Sequence, residues 1–207
     1  MIRVLIADDH PIVRGGVKDL LVRHLEGAVC GEAENAQQVL AQVQRHPWEV
    51  LILDITMAGR SGLDILGDLK LAQPKLPILV LSAHPEDQYA VRVLKAGAAG
   101  YITKNTASEE VVGAVKKVLA GGKYVSASLA ETLATGLTTA NDHEALSDRE
   151  YQVLRLLAAG KSVKEIGYDL SLSVKTISTY RSRVMEKMNL KSNAEIIRYA
   201  MDHKLVD

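Results

Sequence analysis

The chain has a single cysteine, no long apolar run and no net charge, and each absence excludes something. Cys30 alone can build neither an intrachain disulfide framework nor a zinc–thiolate cluster, and a lone thiol fits a reducing cytoplasm. No stretch approaches the ~20 consecutive apolar residues that a membrane span needs. The opening Met-Ile-Arg-Val-Leu-Ile-Ala-Asp-Asp starts like an export signal, but two aspartates interrupt it too early and no cleavage-like region follows. What is present is ordinary for a globular protein: 207 residues, 47% hydrophobic and 24% charged, enough for one large domain or two small ones. The charge balance hides an asymmetry. Residues 146–207 hold 11 Lys+Arg against 8 Asp+Glu, net +3, leaving 14 basic and 17 acidic residues, net −3, in the rest. A basic last part suggests that this part alone meets a polyanion.

The apolar pattern changes character along the chain. Val4–Ala7, Val29–Ala33, Val50–Leu53, Pro77–Leu81 and Gly100–Ile102 read as short buried strands. Between them, helical spacing marks 11–25 (apolar at 13, 17, 20, 21 and 25), a helix with Val39, Leu40 and Val43 on one side, 61–72, a helix marked by Val91, Val93 and Leu94, and 111–119. Strand–helix alternation predicts a doubly wound, five-stranded parallel sheet with helices on both faces over residues 1–121. Residues 122–145 are expected to be a linker, with one short helix in 126–137 and a polar stretch from Thr138 to Glu144. From Leu146 to the end all segments look helical. Ser147 with Glu150 and Ser192 with Glu195 are capping-box signatures, Ser173 is a further cap, and Gly160 and Asn189 are breaks. That predicts a small all-α, four-helix domain over 146–207.

In an open parallel sheet, chemistry gathers beyond the carboxyl ends of the strands. Those ends offer Asp8 and Asp9, then Asp54, then Ser82, with Lys104 after the last strand. Singly, each is unremarkable: Asp9 could cap the helix beginning at Pro11, and the lysine could be solvated. Together, three carboxylates, a hydroxyl and an ammonium would share one crevice. Crowded acids repel, raise at least one pKa and call for a divalent cation with oxygen ligands. Mg²⁺ there could neutralise an incoming phosphoryl group, with Lys104 and Ser82 on its remaining oxygens. His10 and His84 flank the cluster, but without a third nitrogen ligand a transition-metal site is not expected.

The stretches Leu5-Ile6-Ala7-Asp8-Asp9-His10, Leu53-Asp54-Ile55-Thr56-Met57, Leu81-Ser82-Ala83 and Tyr101-Ile102-Thr103-Lys104 resemble the receiver domains of two-component response regulators. The resemblance implies that Asp54 takes a phosphoryl group from a histidine kinase, the domain promoting only its own phosphorylation and dephosphorylation. Asp9, Asp54 and the Thr56 carbonyl would bind Mg²⁺, with Asp8 acting through water. Ser82 and Lys104 would sense the phosphate, and Tyr101 would change rotamer with Ser82. Ala58 stands where such domains usually have proline.

Residues 162–170 and 173–189 read as two helices joined by a tight Ser171-Leu172 turn, a helix-turn-helix. In the second, Val174, Ile177, Val184, Met185 and Met188 mark an apolar side. Lys175, Ser178, Thr179, Ser182, Arg183 and Lys187 leave a polar, basic surface, with cations for phosphates and hydroxyls for base edges. Leu146–Glu150, Gly160–Ile166 and Ser173–Arg181 together resemble the LuxR-type DNA-binding module, and the whole chain resembles the NarL/FixJ family. This implies a recognition helix over 173–189 with Ser178, Thr179 and Ser182 toward bases and Lys175, Thr176 and Arg181 toward phosphate. Tyr180, in a place where many members have histidine, would pack its ring. The helix 192–203 would pair two modules on adjacent half-sites. The expected protein is a cytoplasmic transcription regulator with a kinase partner, double-stranded DNA as target and a homodimer when phosphorylated. Two other readings remain: DNA binding independent of phosphate, and a Mg²⁺-dependent phosphohydrolase using Asp54. The latter would normally need a second acid at position 56, which is threonine.

Overall fold

A computed structural model describes residues 1–57, 59–106, 108–134, 142–203 and 205–206. The chain divides into two compact units, Met1–Thr135 and Gly136–Asp207.

The first unit alternates β1 (Ile2–Ala7), α1 (Pro11–His24), β2 (Ala28–Ala33), α2 (Ala36–Arg45), β3 (Val50–Leu53), α3 (Gly62–Ala72), β4 (Ile78–Ser82), α4 (Glu86–Lys95), β5 (Gly100–Thr103) and α5 (Ser108–Leu119), and α6 (Ala127–Ala134) follows. The five strands are parallel in the order β2-β1-β3-β4-β5. Because β1, β3 and β4 are covered on both faces, their residues are almost all buried and the sequence there runs apolar without alternation. Edge strand β2 is only partly covered. One face, Val4, Ile6, Val50, Ile52, Leu79, Leu81 and Ile102, packs on Val17 and Leu21 of α1 and on Val111, Val115 and Val118 of α5. Their neighbours Leu5, Leu51, Leu53, Ile78 and Val80 are equally buried and, by the alternation of a strand, face the other side. Strand order reverses between β1 and β3, so a crevice opens where Asp8, Asp9 and Asp54 stand.

Several local expectations change. Helix α1 starts at Pro11 with His10 as N-cap and no side-chain cap hydrogen bond, and proline at the first helical position has no N–H to satisfy. Asp9 is thus left for other work. Helix α4 buries Tyr89, Ala90 and Val93, leaving Val91 and Leu94 half-buried. Ser61 with Asp64 and Ser162 with Glu165 form full capping boxes in addition to those expected. The expected helix over 126–137 is α6, residues 135–137 lying outside the described residues. Tyr124 extends the β5 edge, its N–H donating to Ala99 O at 2.8 Å, and α6 belongs to this unit.

The second unit begins its described part with a 3₁₀ turn (Asp142–Ala145), followed by α7 (Asp148–Ala158), α8 (Val163–Asp169), α9 (Val174–Lys187) and α10 (Asn193–Asp202). A serine caps each of these four helices. Ser192 is only half a capping box, since Glu195 accepts from the Lys191 N–H instead. The breaks at Gly160 and Asn189 both have positive φ, +83° and +52°, and Ser171 in the interhelical turn has +53°. Leu154, Leu157, Ile166, Ile177, Val184 and Ile196 fill the core. Val174, expected on the apolar side of α9, is exposed instead. Among the described residues no helix is long and apolar enough to cross a membrane.

Two glycines of α3 separate fit from propensity. A Cβ on Gly62 would lie 2.0 Å from the Asp54 carbonyl oxygen, whereas one on Gly67 meets nothing within 4 Å. Gly62→Ala should lower the melting temperature by displacing the loop behind Asp54, at a cost of about 1–3 kcal/mol. Gly67→Ala should raise it by about 0.5–1 kcal/mol. Thermal shifts of the same sign for both variants would contradict this packing.

Candidate functional site

At the carboxyl ends of β1 and β3, Asp8 and Asp54 are 2% and 1% exposed. Both lean on Lys104, whose Nζ is 2.7 Å from Asp8 Oδ2 and 2.8 Å from Asp54 Oδ2. The Thr56 N–H donates to Asp54 Oδ1 at 3.1 Å, so one Asp54 oxygen is held by backbone and the other by the ammonium. Burial pushes the Asp54 carboxyl up to about 6, against the pull of Lys104 and with the push of Asp8. Burial draws the Lys104 ammonium down, but Asp54 and Asp8 outweigh it and its pKa ends raised.

Asp8, Asp9, His10 and Asp54 each bring one ligand atom to within 4.8 Å of the others. The Asp8 Oδ2 atom is enclosed, with the Lys104 ammonium as its partner. Three carboxylates sharing one ammonium fit a hard divalent cation such as Mg²⁺. His10 joins more closely than expected, with Nδ1 2.7 Å from Asp9 Oδ1 and 3.2 Å from Asp8 Oδ1. One imidazole among oxygen donors leaves the set on the hard side. Position 58 lies outside the described residues.

Ser82 is buried at the end of β4, where its Oγ accepts the His84 N–H at 3.1 Å. The Tyr101 ring is buried, with its hydroxyl donating to His84 O at 2.9 Å and its pKa raised by burial. His84 meets the Asp54 loop as well, its Nε2 lying 3.2 Å from Thr56 Oγ1. The structure therefore brings together Asp8, Asp9, Asp54 and Lys104, with Thr56 in the loop after β3, Ser82 at the end of β4 and Tyr101 in β5 around them. Sequence reasoning missed Arg14, a buried cation whose Nη1 donates to Asp8 O at 2.7 Å. A signal existed, because Arg14 shares the buried stripe of α1 with Val17 and Leu21.

On α9, Lys175, Ser178, Thr179, Ser182 and Arg183 are exposed and lie along one side, by i, i+3 and i+4 steps. The Thr179 and Ser182 hydroxyls bond back to the carbonyls of Lys175 and Ser178, each at 3.0 Å. Thr176 caps with Ser173, its N–H donating to Ser173 Oγ. Arg181 is half-buried, with Nε on Asn193 Oδ1 at 2.7 Å, and Tyr180 is half-buried. Lys187 is exposed as well, and its ammonium is also engaged within the module. Its Nζ is 2.7 Å from the buried carboxylate of Glu150, which it holds below the usual range against the opposing effect of burial. That ammonium serves the interior of the module.

Residues 4–116 match the family described as the response regulator receiver domain, and residues 144–200 match the luxR family of bacterial regulatory proteins. The response regulator GacA of Pseudomonas aeruginosa is 36% identical, over 100% of this chain and 99% of its own. The response regulator UvrY of Escherichia coli K12 is 32% identical, over 99% of this chain and 96% of its own. Among solved structures, RcsB of Salmonella enterica serovar Typhimurium, bound to promoter rprA with the phosphomimetic BeF3−, is 30% identical. It superposes with a TM-score of 0.66 over 96% of this chain and 97% of that one.

The Asp54 shift has a stability consequence. A carboxyl raised from 3.8 to about 6 by folding favours its neutral form, so its contribution is present at acid pH and lost as pH rises through 6. In metal-free buffer, Asp54→Asn should therefore gain little melting temperature near pH 4. It should gain several degrees above pH 6, on the order of 2 kcal/mol. Added Mg²⁺ should stabilise the parent more than the variant. Differential scanning calorimetry across pH measures this, and a gain that shrinks with rising pH would refute it.

Proposed function

The chain belongs to the response regulators that join a receiver domain to a LuxR-type DNA-binding module, the NarL/FixJ arrangement, and from that membership we propose that Asp54 is its phosphoacceptor and α9 its reader of promoter DNA. It is a DNA-binding two-component regulator rather than a metabolic enzyme. The observation that carries the site is the buried Asp54 carboxylate between the Thr56 N–H and the Lys104 ammonium, with Asp8 and Asp9 beside it.

The chemistry follows from those positions. The Asp54 carboxylate attacks the phosphorus of a kinase phosphohistidine, the P–N bond breaks, and its electron pair returns to the imidazole. Asp9, Asp54 and the Thr56 carbonyl would hold Mg²⁺, with Asp8 through water, and the bound ion supplies charge neutralisation for the transferring group. Lys104, 2.8 Å from Asp54 Oδ2, turns to a phosphoryl oxygen as charge moves outward. The Ser82 hydroxyl donates to another, and Tyr101 changes rotamer with it. Hydrolysis of the acyl phosphate resets the domain, and no other substrate is turned over. In the second unit, the exposed stripe Lys175–Arg183 enters the major groove, with Lys175 and Arg183 on phosphates and Ser178, Thr179 and Ser182 toward bases. Arg181 meets phosphate from its place on Asn193, beside Thr176 at the helix start. The phosphorylated protein acts as a homodimer on two half-sites in the cytoplasm. The support for that step is the likeness to RcsB, whose structures include two dimers on two parallel DNAs.

Incubation with a small phosphoryl donor and Mg²⁺, read by intact mass, should give a single phosphoryl adduct on the parent chain and none on Asp54→Asn. An undiminished adduct on the variant would move the acceptor elsewhere. For DNA, Lys175→Ala should weaken binding to all sequences alike and flatten the salt dependence by about one unit of slope. Ser178→Ala and Thr179→Ala should instead alter base preference. Unchanged affinity and preference in both hydroxyl variants would put the wrong side of α9 in the groove.

A further inference from the structure

Arg14 is 5% exposed, and a guanidinium so enclosed must have its donors matched. Its Nη1 donates to the Asp8 carbonyl oxygen at 2.7 Å, Nη2 to Glu34 Oε1 at 3.1 Å, and Nε to Glu32 Oε2 at 3.4 Å. The two glutamates are 37% and 62% exposed, and Glu32 is shared with Lys18, so water and other partners dilute those pairs. The bond to Asp8 is buried and charge-assisted, the short one of the three. From the opposite side, the Asp8 N–H donates to Ala33 O of β2 at 3.1 Å. The Asp8 peptide is therefore gripped at both ends, and only its carboxylate is left to answer to Asp54 and Lys104.

We infer that Arg14 is a positioning residue for the divalent cation: by holding the Asp8 carbonyl it fixes the β1–α1 turn and aims the Asp8 and Asp9 carboxylates before any ion arrives. This rests on the reading that the acidic cluster binds Mg²⁺. The geometry explains why a buried cation beside an acid cluster does not abolish its attraction for metal. Arg14 touches the backbone of Asp8 and the carboxylates of Glu32 and Glu34, and leaves the charge of Asp8 and Asp9 uncompensated by itself.

The test is calorimetric titration of the full chain with Mg²⁺ alone. Arg14→Gln should weaken Mg²⁺ binding about tenfold or more. Arg14→Lys, which keeps one donor for the carbonyl, should fall between it and the parent. Glu34→Gln removes an ion pair of the same arginine but not the grip on Asp8, and should bind Mg²⁺ like the parent. With a small phosphoryl donor, the half-saturating Mg²⁺ concentration of Arg14→Gln should rise in proportion while the rate at saturating Mg²⁺ stays within about twofold, as expected for lost binding rather than lost chemistry. Should Arg14→Gln fail to fold by circular dichroism, Arg14→Lys carries the comparison. Parental Mg²⁺ affinity in both Arg14 variants overturns the inference, as does a loss in Glu34→Gln equal to that in Arg14→Gln. A parent chain that binds no Mg²⁺ overturns it together with the cation reading. A parent that binds Mg²⁺ but takes no phosphoryl group, with affinity still falling in Arg14→Gln, would refute the acceptor role of Asp54 and support that of Arg14.

Discussion

Two carboxylates, those of Asp8 and Asp54, are removed from water side by side, and a single ammonium, Lys104, stands between them. Much of the first unit can be understood as the means of tolerating that arrangement. The sheet must reverse its order between β1 and β3 for both acids to reach one crevice, and β5 must lie two strands beyond β3 for Lys104 to come in from the side. Buried charge at this density is costly unless matched, and here it is undermatched, which is why the Asp54 carboxyl rises to about 6. An acid site left short of positive charge is a site that gains from a cation and from a group carrying one in. The strain of the resting site and its proposed reactivity have the same electrostatic origin.

The second unit is built on the opposite plan, with its charge on the surface and its buried polar groups satisfied. Serine caps close each of the helices α7 to α10, and Glu150, a deeply buried carboxylate, is matched both by its capping box and by Lys187. A module so satisfied within itself can present one side of α9 without rearranging its core. The hydroxyls of Thr179 and Ser182 are parked on carbonyls one turn back, where they keep lone pairs and can rotate toward a base edge at small cost. Rigid scaffold with adjustable surface hydroxyls is what base readout asks of a recognition helix.

The strand–helix alternation and most of the acid cluster were legible in the sequence because each depends on short-range pattern: an apolar run, then a functional group at its end. Asp8, Asp54, Ser82 and Lys104 all announce themselves that way. Residues whose role depends on a side chain crossing between elements did not. Lys187 reads as one more cation on a basic helix until α7 is seen to place Glu150 beneath it. His10 follows two aspartates in sequence, but only the turn before Pro11 folds its ring back onto them. Val174 sits at apolar spacing in α9, and the first turn of that helix stands beyond the core it would have joined. The capping box from Ser162 to Glu165 is a different case, since its signal, a serine three residues before a glutamate at a helix start, lies in plain sequence.

The chain of contacts from Asp54 to Tyr101 sets a bound on what one hydroxyl can transmit. Ser82 has a single proton for a phosphoryl oxygen in the proposed reaction, while its Oγ accepts the His84 N–H. Tyr101 is tied to the same residue by its hydroxyl on His84 O, and one such hydrogen bond contributes about 1 kcal/mol. Moving a two-state equilibrium from ~1:99 to 99:1 takes about 5.5 kcal/mol of differential affinity. The Ser82–His84–Tyr101 link therefore cannot throw the switch unaided. In the proposed reaction the balance would come from groups that carry charge: Lys104 leaving Asp8 for the phosphoryl group, and the Thr56–His84 contact between two loops shifting with it. On these magnitudes the proposed switch is electrostatic first, and the aromatic ring follows the charge.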